Sequence, residues 1–514
     1  MFNSIVVTGG GGTVGKYIVE YLLKEDDIKK VIVNDLPNVD LKEFENNPKV
    51  TVKKGDLTNR EFVKELVKDA ECIIHSAATL NTTLPYEEVA KINVNTVSSL
   101  LEEGKNNNLK FFLLFSSASI YKPTGKPLKE DSLIEPYSTY EQSKIDAEHI
   151  LKKFVKDNPN INWSIIRPSL IYGPRAKFLA GPLVTIPPLF YFVTGGRMIG
   201  FKGGVKANWV HAEDVARAVV FIIKNKDTWN EIYNIADDTP LSFGEILTAS
   251  IEAYGFKPKQ FITLPSTKYM QIVKPFLDND YFFAILNNSG KLLWDYIIKV
   301  YNLEKGITPH LNRSALNYST HDIIFDNSKL KKKGFSYKWR SLKDGYRDVL
   351  KWYQERRYVP TYEELISTTR FAFSFREKMS GSITAKDNSF KDTEIRFSLL
   401  AKTKRFEGVF GDIDTEITGD ITIGEFIEDA KLNGTLFISL FKDRKIIYNF
   451  RFKDKEGNDY KFYGIKKLSL LNFIKSITQM DVILEKNGNL WALGEMKFDL
   501  KHDLIPFFRS FIQQ

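Results

Sequence analysis

Cysteine is nearly absent: among 514 residues only Cys72 is one, which excludes an internal disulfide framework and suits a reducing compartment. The six histidines (75, 149, 211, 310, 321 and 502) show no metal-ligand spacing, so no metal site is read. No long unbroken apolar run occurs either. The stretch nearest to a membrane span, Phe178 to Gly196, is uncharged but carries Pro182, Pro187 and Pro188. A spanning helix wants about 20 apolar residues without such breaks, so Phe178–Val193 reads as an apolar loop over a binding cleft. A block of one charge sign is missing as well. The net charge of +9 comes from lysines spread among many acids, and the densest run, Lys331-Lys332-Lys333, reads as a solvated helix end. That argues against a nucleic-acid partner and leaves open weak peripheral attraction to an anionic membrane. No signal peptide is read before the first strand, so a cytoplasmic protein is expected.

What is present is ordinary globular material, 43% hydrophobic and 27% charged. The length implies two or three domains. Up to about residue 170, apolar runs alternate with helical periodicity. The strands predicted are Ile5–Thr8, Val31–Asn34, Val50–Val52, Cys72–His75, Phe111–Ser116 and Ile161–Ile166, with helices between them, for instance at Phe62–Val67 and Val89–Glu103. Such alternation predicts an α/β fold, a doubly wound parallel sheet that binds ligands beyond the carboxyl ends of its strands.

The residues at those ends are the informative ones. After the first strand, Gly9-Gly10-Gly11-Gly12-Thr13-Val14-Gly15 leads into a helix with Val14, Ile18 and Leu22 on one face. A strand, tight turn and helix of this kind lets the backbone approach a pyrophosphate at the positive end of the helix dipole. Asp35 ends the second strand, where its carboxylate can accept both ribose hydroxyls of an adenosine. No arginine follows in Leu36-Pro37-Asn38-Val39 to neutralise a 2′-phosphate, so NAD rather than NADP is predicted. Asp56 and Leu57 follow the third strand, where the acid can meet the adenine amino group. Ala77 and Ala78 follow the fourth and let a dinucleotide lie close. His75 is a weak candidate base, with no second histidine or cysteine near it. Ser117 follows the fifth strand, placed to hydrogen-bond a substrate oxygen.

Tyr140 and Lys144 lie one helical turn apart in the segment after that. An ammonium beside a phenol stabilises phenolate, and bringing a tyrosine from about 10 to about 7 takes roughly 4 kcal/mol. Buried beside Lys144 and a cationic nicotinamide, Tyr140 could then exchange a proton with a carbonyl or hydroxyl. The spacing recurs at Tyr301–Lys305 and Tyr463–Lys467, so position in the sheet decides for Tyr140.

Taken together these motifs resemble the extended short-chain dehydrogenase/reductase family. Thr8-Gly9-x-x-Gly12-x-x-Gly15 resembles its cofactor loop and Tyr140-x-x-x-Lys144 its catalytic pair. Ser117 matches its catalytic serine or threonine, and Asn93 the asparagine of the helix after the fourth strand. Arg167-Pro168 through Gly173-Pro174, Trp209 through Ala216 and Tyr233-Asn234-Ile235 match later landmarks, covering residues 1 to about 355. The resemblance implies a Rossmann sheet with a helical substrate-binding part at about 170–355. It also implies that Ser117, Tyr140 and Lys144 act on a secondary alcohol or ketone with Asn93 supporting the proton relay. The cofactor NAD would lie against Gly9, Gly12, Thr13, Val14, Gly15, Asp35, Asp56, Leu57, Ala77, Ala78, Tyr140 and Lys144.

Within the family, Thr308-Pro309, Phe325-Asp326-Asn327-Ser328-Lys329, Gly334-Phe335 and Leu342-Lys343-Asp344-Gly345 look most like the 3β-hydroxysteroid (sterol) dehydrogenase branch. That branch carries an apolar helical insertion, for which Tyr269–Tyr301 would stand. The expectation is therefore an NAD-dependent oxidoreductase on an apolar, sterol- or lipid-like substrate reached beneath Phe178–Val193 and the insertion. A nucleotide-sugar epimerase or dehydratase uses the same residues and is the first alternative, with Arg175, Lys177 and Arg197 available for a diphosphate. A dehydratase usually adds acids beside the serine, and Ala118-Ser119 offers none. A non-catalytic NAD- or lipid-binding protein is the second alternative, and a homodimer is admitted.

From about residue 371 the pattern changes. Ile446–Phe452 alternates, Glu456-Gly457-Asn458 turns, Tyr460–Tyr463 returns, and Asn487-Gly488 is a second hairpin signal. Residues 371–514 are predicted to form an all-β barrel-like or sandwich domain without a catalytic constellation, an apolar-ligand or interaction module.

Overall fold

The computed structural model describes residues 2–81, 84–176, 180–265, 280–309, 321–367, 374–403, 411–440, 442–469 and 473–499. Two compact units are present. The first comprises Met1–Ile186, Ile199–Phe283 and Gly306–Tyr358; the second comprises Pro187–Met198, Ala284–Lys305 and Val359–Gln514.

The first unit is built on a seven-stranded parallel sheet. Its strands are β1 (Ser4–Thr8), β2 (Lys30–Asp35), β3 (Val50–Lys54), β4 (Cys72–His75), β5 (Phe111–Phe115), β6 (Asn162–Pro168) and β7 (Glu231–Ile235), in the order β7-β6-β5-β4-β1-β2-β3. β1 lies between β4 and β2, so the order reverses at its carboxyl end, where such sheets bind ligands. Every residue of β1, β4 and β5 is buried, as both faces of the sheet are covered by helices. Ile5, Val7, Ile18 and Leu22 pack on one face, and Val6, Ile73, Leu100 and Leu151 on the other.

Two helical expectations are corrected. The segment Val89–Glu103 is two helices, Tyr86–Asn93 and Asn95–Lys105, broken at Val94. The stretch read as the apolar loop Phe178–Val193 is a helix, Ala180–Thr194, with Pro187 and Pro188 inside it; Phe178 and Leu179 lie outside the described residues. A proline at 188 removes the N–H that would bond the Val184 carbonyl. The Tyr254 hydroxyl supplies that donor instead, at 3.1 Å. Leu183 and Val184 are fully buried, so this part of the stretch serves the core and not an open cleft. In the predicted insertion, Asp280–Tyr301 is one helix, and 269–279 lie outside the described residues.

The second unit contains a closed antiparallel barrel, which decides between barrel and sandwich. Its strands are β8 (Ser374–Ala385), β9 (Thr393–Thr403), β10 (Ile413–Ile423), β11 (Ile427–Ser439), β12 (Lys445–Lys453), β13 (Asp459–Lys467), β14 (Gln479–Lys486) and β15 (Asn489–Lys497). Each pairs with the next, and β8 pairs with β15 to close the ring. Asn487 and Gly488 both have positive φ (47° and 81°), as the two-residue hairpin turn requires. Phe397, Phe450 and Phe462 fill the interior, the last two stacked at 4.3 Å. On β12, the Tyr448 hydroxyl donates to Glu377 of β8 (2.9 and 3.0 Å), and Lys466 of β13 donates to the same carboxylate at 2.9 Å. No described helix is long and apolar enough to cross a membrane, and no described group of three or more His, Cys, Asp or Glu could hold a metal ion.

Candidate active site

The turn after β1 is shaped by close approach. Gly9 has φ +68°, and a Cβ there would come within 2.9 Å of the Ala77 nitrogen. A Cβ on Gly15 would come within 2.1 Å of the Gly9 carbonyl oxygen. Only glycine fits either place. The Gly12 N–H donates to the Gly9 carbonyl at 3.0 Å and closes the turn. The helix Gly15–Leu23 that follows has no side-chain cap at Val14 and no acid in its first turn, so its dipole is left available to an anion. Thr13 is tied at one side, its hydroxyl donating to the Arg175 carbonyl at 3.2 Å.

Asp35 is oriented by two backbone donors, Gly11 N–H and Leu36 N–H, both at 2.8 Å. Its carboxylate is thereby held against the glycine turn, with lone pairs left for ribose hydroxyls. The Gly55 N–H donates to the Asp35 carbonyl at 2.9 Å, bringing Asp56 and the buried Leu57 to the same edge. Sequence reasoning missed Asn34, which is buried and donates to the carbonyls of Lys53 and Gly55, fixing the β2 and β3 ends together. Turn, open helix end and Asp35 fit a dinucleotide without a 2′-phosphate. Replacing Asp35 with Ser should raise NADP+ affinity relative to NAD+ by tenfold or more, because a charge repulsion is removed. Titration of both cofactors checks this, and an unchanged ratio would mean the carboxylate faces elsewhere.

His75 is not a base. It is buried, its Nδ1 shares a 2.8 Å hydrogen bond with the Thr8 hydroxyl, and burial next to Lys144 pushes its pKa down to about 3. Thr8 also accepts from the Ala77 N–H at 3.4 Å, which holds Ala77 against the turn. Asn93 is buried and brackets Thr79, accepting from its N–H at 2.8 Å and donating to its carbonyl at 3.1 Å, while also donating to Ser143 at 3.0 Å. It therefore ties the segment after β4 to the helix that carries Tyr140.

That helix, Thr139–Asp157, starts where Ser138 accepts from the Glu141 N–H. It delivers Tyr140 beside Ser117, whose hydroxyl works to lower the phenol's pKa. Ser117 in turn shares a 2.8 Å hydrogen bond with Ser119. Lys144 donates to the Phe115 carbonyl at the end of β5 (2.9 Å), with its nitrogen 5.7 Å from the centre of the Tyr140 ring. The expected lowering of the Tyr140 pKa rests on Lys144 and a cationic nicotinamide together; among the protein's own groups, burial dominates. Burial pushes the phenol up to about 12, against a lowering by Ser117, and Glu141 raises it further. Burial likewise brings Lys144 down to about 8, opposed by Glu148. The protein's own groups thus leave the phenol protonated, and the cationic nicotinamide is the remaining source of stabilisation for phenolate.

This gives a pH signature. Lys144 is charged below about 8 and neutral above, so a contact from its ammonium to the nicotinamide ribose weakens as pH rises. NAD+ affinity should fall between pH 7 and 9 in the wild type and stay flat in Lys144→Met, as read by fluorescence titration. A wild-type affinity that is flat over this window would exclude the contact.

Behind the helix lies a network the sequence reading did not assemble. Arg167 makes a two-point ion pair with Glu148 (2.8 and 2.7 Å) and also donates to the Tyr121 hydroxyl at 2.8 Å. Tyr121 donates to Asn234 of β7 at 2.7 Å. Glu148 stands one helical turn beyond Lys144, and that i, i+4 spacing was the available signal. Of the three cations proposed for a diphosphate, Arg175 interacts with Glu20 (3.5 Å) and lies over the Tyr17 ring, while Lys177 lies outside the described residues.

A doubly wound sheet with a glycine turn, an acid at the end of β2 and Ser117, Tyr140 and Lys144 at the end of β5 is the arrangement expected of a dinucleotide-dependent enzyme. Residues 5–236 match the model of the NAD dependent epimerase/dehydratase family, which supports that assignment for this segment. A putative UDP-glucose 4-epimerase of Methanocaldococcus jannaschii is 28% identical over 269 residues, 51% of this chain and 86% of that protein. A dTDP-D-glucose 4,6-dehydratase of Dictyostelium discoideum is 25% identical over 266 residues, 47% of this chain and 59% of that protein. Among solved structures, a UDP-glucose 4-epimerase of Thermotoga maritima covers 68% of this chain and 99% of its own, at 20% identity and a TM-score of 0.50, a likeness of fold.

These relatives are nucleotide-sugar enzymes by name, and they lend no support to the sterol branch. The segment that carried that finer resemblance has a structural task. The Asn327 amide donates to the carbonyls of Ala236 (2.8 Å) and Asp237 (3.2 Å) just beyond β7, and Phe325 is buried. A sequence match there reports how the chain returns to the sheet and says nothing of substrate.

Proposed function

We propose that the first unit is an NAD-dependent enzyme that oxidises a secondary alcohol of a nucleotide sugar and returns the hydride to the same carbon, an epimerase. One observation supports this above the others: Ser117, Tyr140 and Lys144 converge at the carboxyl end of β5, beside the glycine turn. When bound, NAD would supply the hydride acceptor and donor. With the cofactor bound, Tyr140 as phenolate would take the substrate hydroxyl proton and, as phenol, would return it to the carbonyl oxygen. Ser117 would donate a hydrogen bond to that oxygen, and Lys144 would hold the nicotinamide ribose. The relatives' names favour the nucleotide-sugar class over the sterol class that the sequence suggested. Ala118 and Ser119 favour epimerisation over dehydration, since neither places a carboxylate beside Ser117 to remove a proton or protonate a leaving hydroxyl.

The test is a substrate screen with the purified chain and NAD+, offering UDP- and dTDP-sugars alongside hydroxysteroids and hydroxyacyl lipids. Interconversion of epimeric sugars without net NADH is the outcome expected. Stoichiometric NADH from a hydroxysteroid, with every sugar inert, would restore the apolar-substrate reading. NAD+ binding with no turnover of either class would leave a binding protein.

A further inference from the structure

The strand Phe261–Leu264 breaks the usual pattern for a strand on a globular surface. Among the described residues it pairs only with Gly200–Gly203, in parallel, leaving its other edge unpaired. Successive side chains of a strand point to opposite faces, so one face is normally buried. Here Phe261 and Ile262 are each 44% exposed, and Lys259, Gln260 and Thr263 around them are exposed too. A third large apolar side chain, Phe243, is 46% exposed at the start of the helix Phe243–Ala253. Its Cβ would lie 3.3 Å from one built on Gly204, just past the partner strand. Phe261 and Ile262 thus expose apolar surface on both faces of one edge strand, and exposed apolar surface of this kind marks an interaction site.

Lysines outnumber carboxylates around this patch. A surface cavity of about 430 Å³ between Phe261 and the helix is lined by Lys202, Lys206 and Lys343. The Lys202 ammonium lies 4.4 Å over the Phe261 ring. Lys257 and Lys259 are exposed immediately before the strand. Three carboxylates stand nearby. Glu245 accepts from the Ser242 N–H and hydroxyl (2.7 Å each), Glu252 pairs with Lys343 (3.1 Å), and Asp322 accepts from the Lys206 N–H (2.8 Å). Glu252 and Lys343 cancel each other, and Lys202, Lys206, Lys257 and Lys259 outnumber the remaining Glu245 and Asp322, so the balance is cationic.

We propose that this face docks on an anionic lipid membrane, with Phe261 and Ile262 entering the boundary between headgroups and acyl chains. Lys202, Lys206, Lys257 and Lys259 then meet lipid phosphates. Charge complementarity selects the occupant: aromatic and aliphatic tips ringed by lysines match an interface that is apolar below and negative above. The attachment is peripheral and independent of the reaction proposed for the first unit.

Cosedimentation of the full chain with vesicles tests it, comparing phosphatidylglycerol/phosphatidylcholine mixtures with phosphatidylcholine alone. Binding to the anionic vesicles should exceed that to neutral ones by about tenfold or more and weaken with added salt. The double variants Phe261→Ser/Ile262→Ser and Lys257→Glu/Lys259→Glu should each lose most of the binding while NAD+ affinity, which reports an intact first unit, stays unchanged. No binding to anionic vesicles, or binding that both variants retain, would overturn the proposal. So would a dimer that Phe261→Ser/Ile262→Ser abolishes in a chain that ignores vesicles, since the face would then belong to a second copy.

Discussion

Tyr140→Phe should bind NAD+ nearly as the wild type does and lose turnover by roughly 10²–10⁴-fold, the usual contribution of a positioned acid-base group. The substitution removes only the phenolic oxygen. The ring that packs beside Lys144 remains, and Lys144 keeps its own anchor on the Phe115 carbonyl at 2.9 Å. Ser117 keeps its hydrogen bond with Ser119 at 2.8 Å. Cofactor titration and initial rates on the same preparation separate binding from chemistry. Activity within about tenfold of wild type would sink the assignment, because no other group in the cluster can replace the proton carrier. His75 cannot step in, since with a pKa near 3 and its Nδ1 engaged by Thr8 it stays neutral and bound.

Glu148→Ala should be the most destabilising single change in the first unit, at about 3–5 kcal/mol. Burial alone would raise the Glu148 pKa, but Arg167 holds the carboxyl below its ordinary value. Both side chains are almost wholly inaccessible, so the variant would strand a guanidinium with no counter-charge in the interior. At 2–4 °C per kcal/mol the melting transition should fall by about 10 °C. The double variant Glu148→Met/Arg167→Met should be milder than Glu148→Ala, since an apolar pair leaves no unpaired charge behind. Differential scanning calorimetry reads both. A shift of Glu148→Ala below about 2 °C, which is under 1 kcal/mol, would mean that water reaches the pair.

Much of the sheet was legible because both faces are buried. The runs Ile5–Thr8, Val31–Asn34 and Cys72–His75 are continuous apolar strands, and no competing helical period disturbs them. Asp35 and the glycine turn were legible for a different reason, since their spacing is dictated by the ligand chemistry rather than by packing. The helix Ala180–Thr194 was not. Two prolines argue for a break, and what overrides them is a hydroxyl from Tyr254, about 70 residues further along the chain. The Glu148–Arg167 pair was hidden in the same way, because its members come from a helix and a strand that meet only in the folded sheet. For Tyr140 the sequence shows the charge of Lys144 but not the degree of burial, which dominates among the protein's own groups. The sterol resemblance rested on a segment that fastens the chain beside β7, and the relatives' names lend it no support.

The closed barrel has a consequence for how the chain is made. Seven of its eight strand pairings join neighbours in sequence and can form as hairpins while the chain emerges. The eighth cannot: Ser380 in the first strand meets Lys497 in the last. Until that final segment leaves the ribosome, the first strand presents a bare row of backbone donors and acceptors, the kind of edge along which chains aggregate. A chain halted before Asn489 would carry that open edge permanently. Completion of the barrel thus waits on its closing strand, long after the residues proposed to do the chemistry have been made.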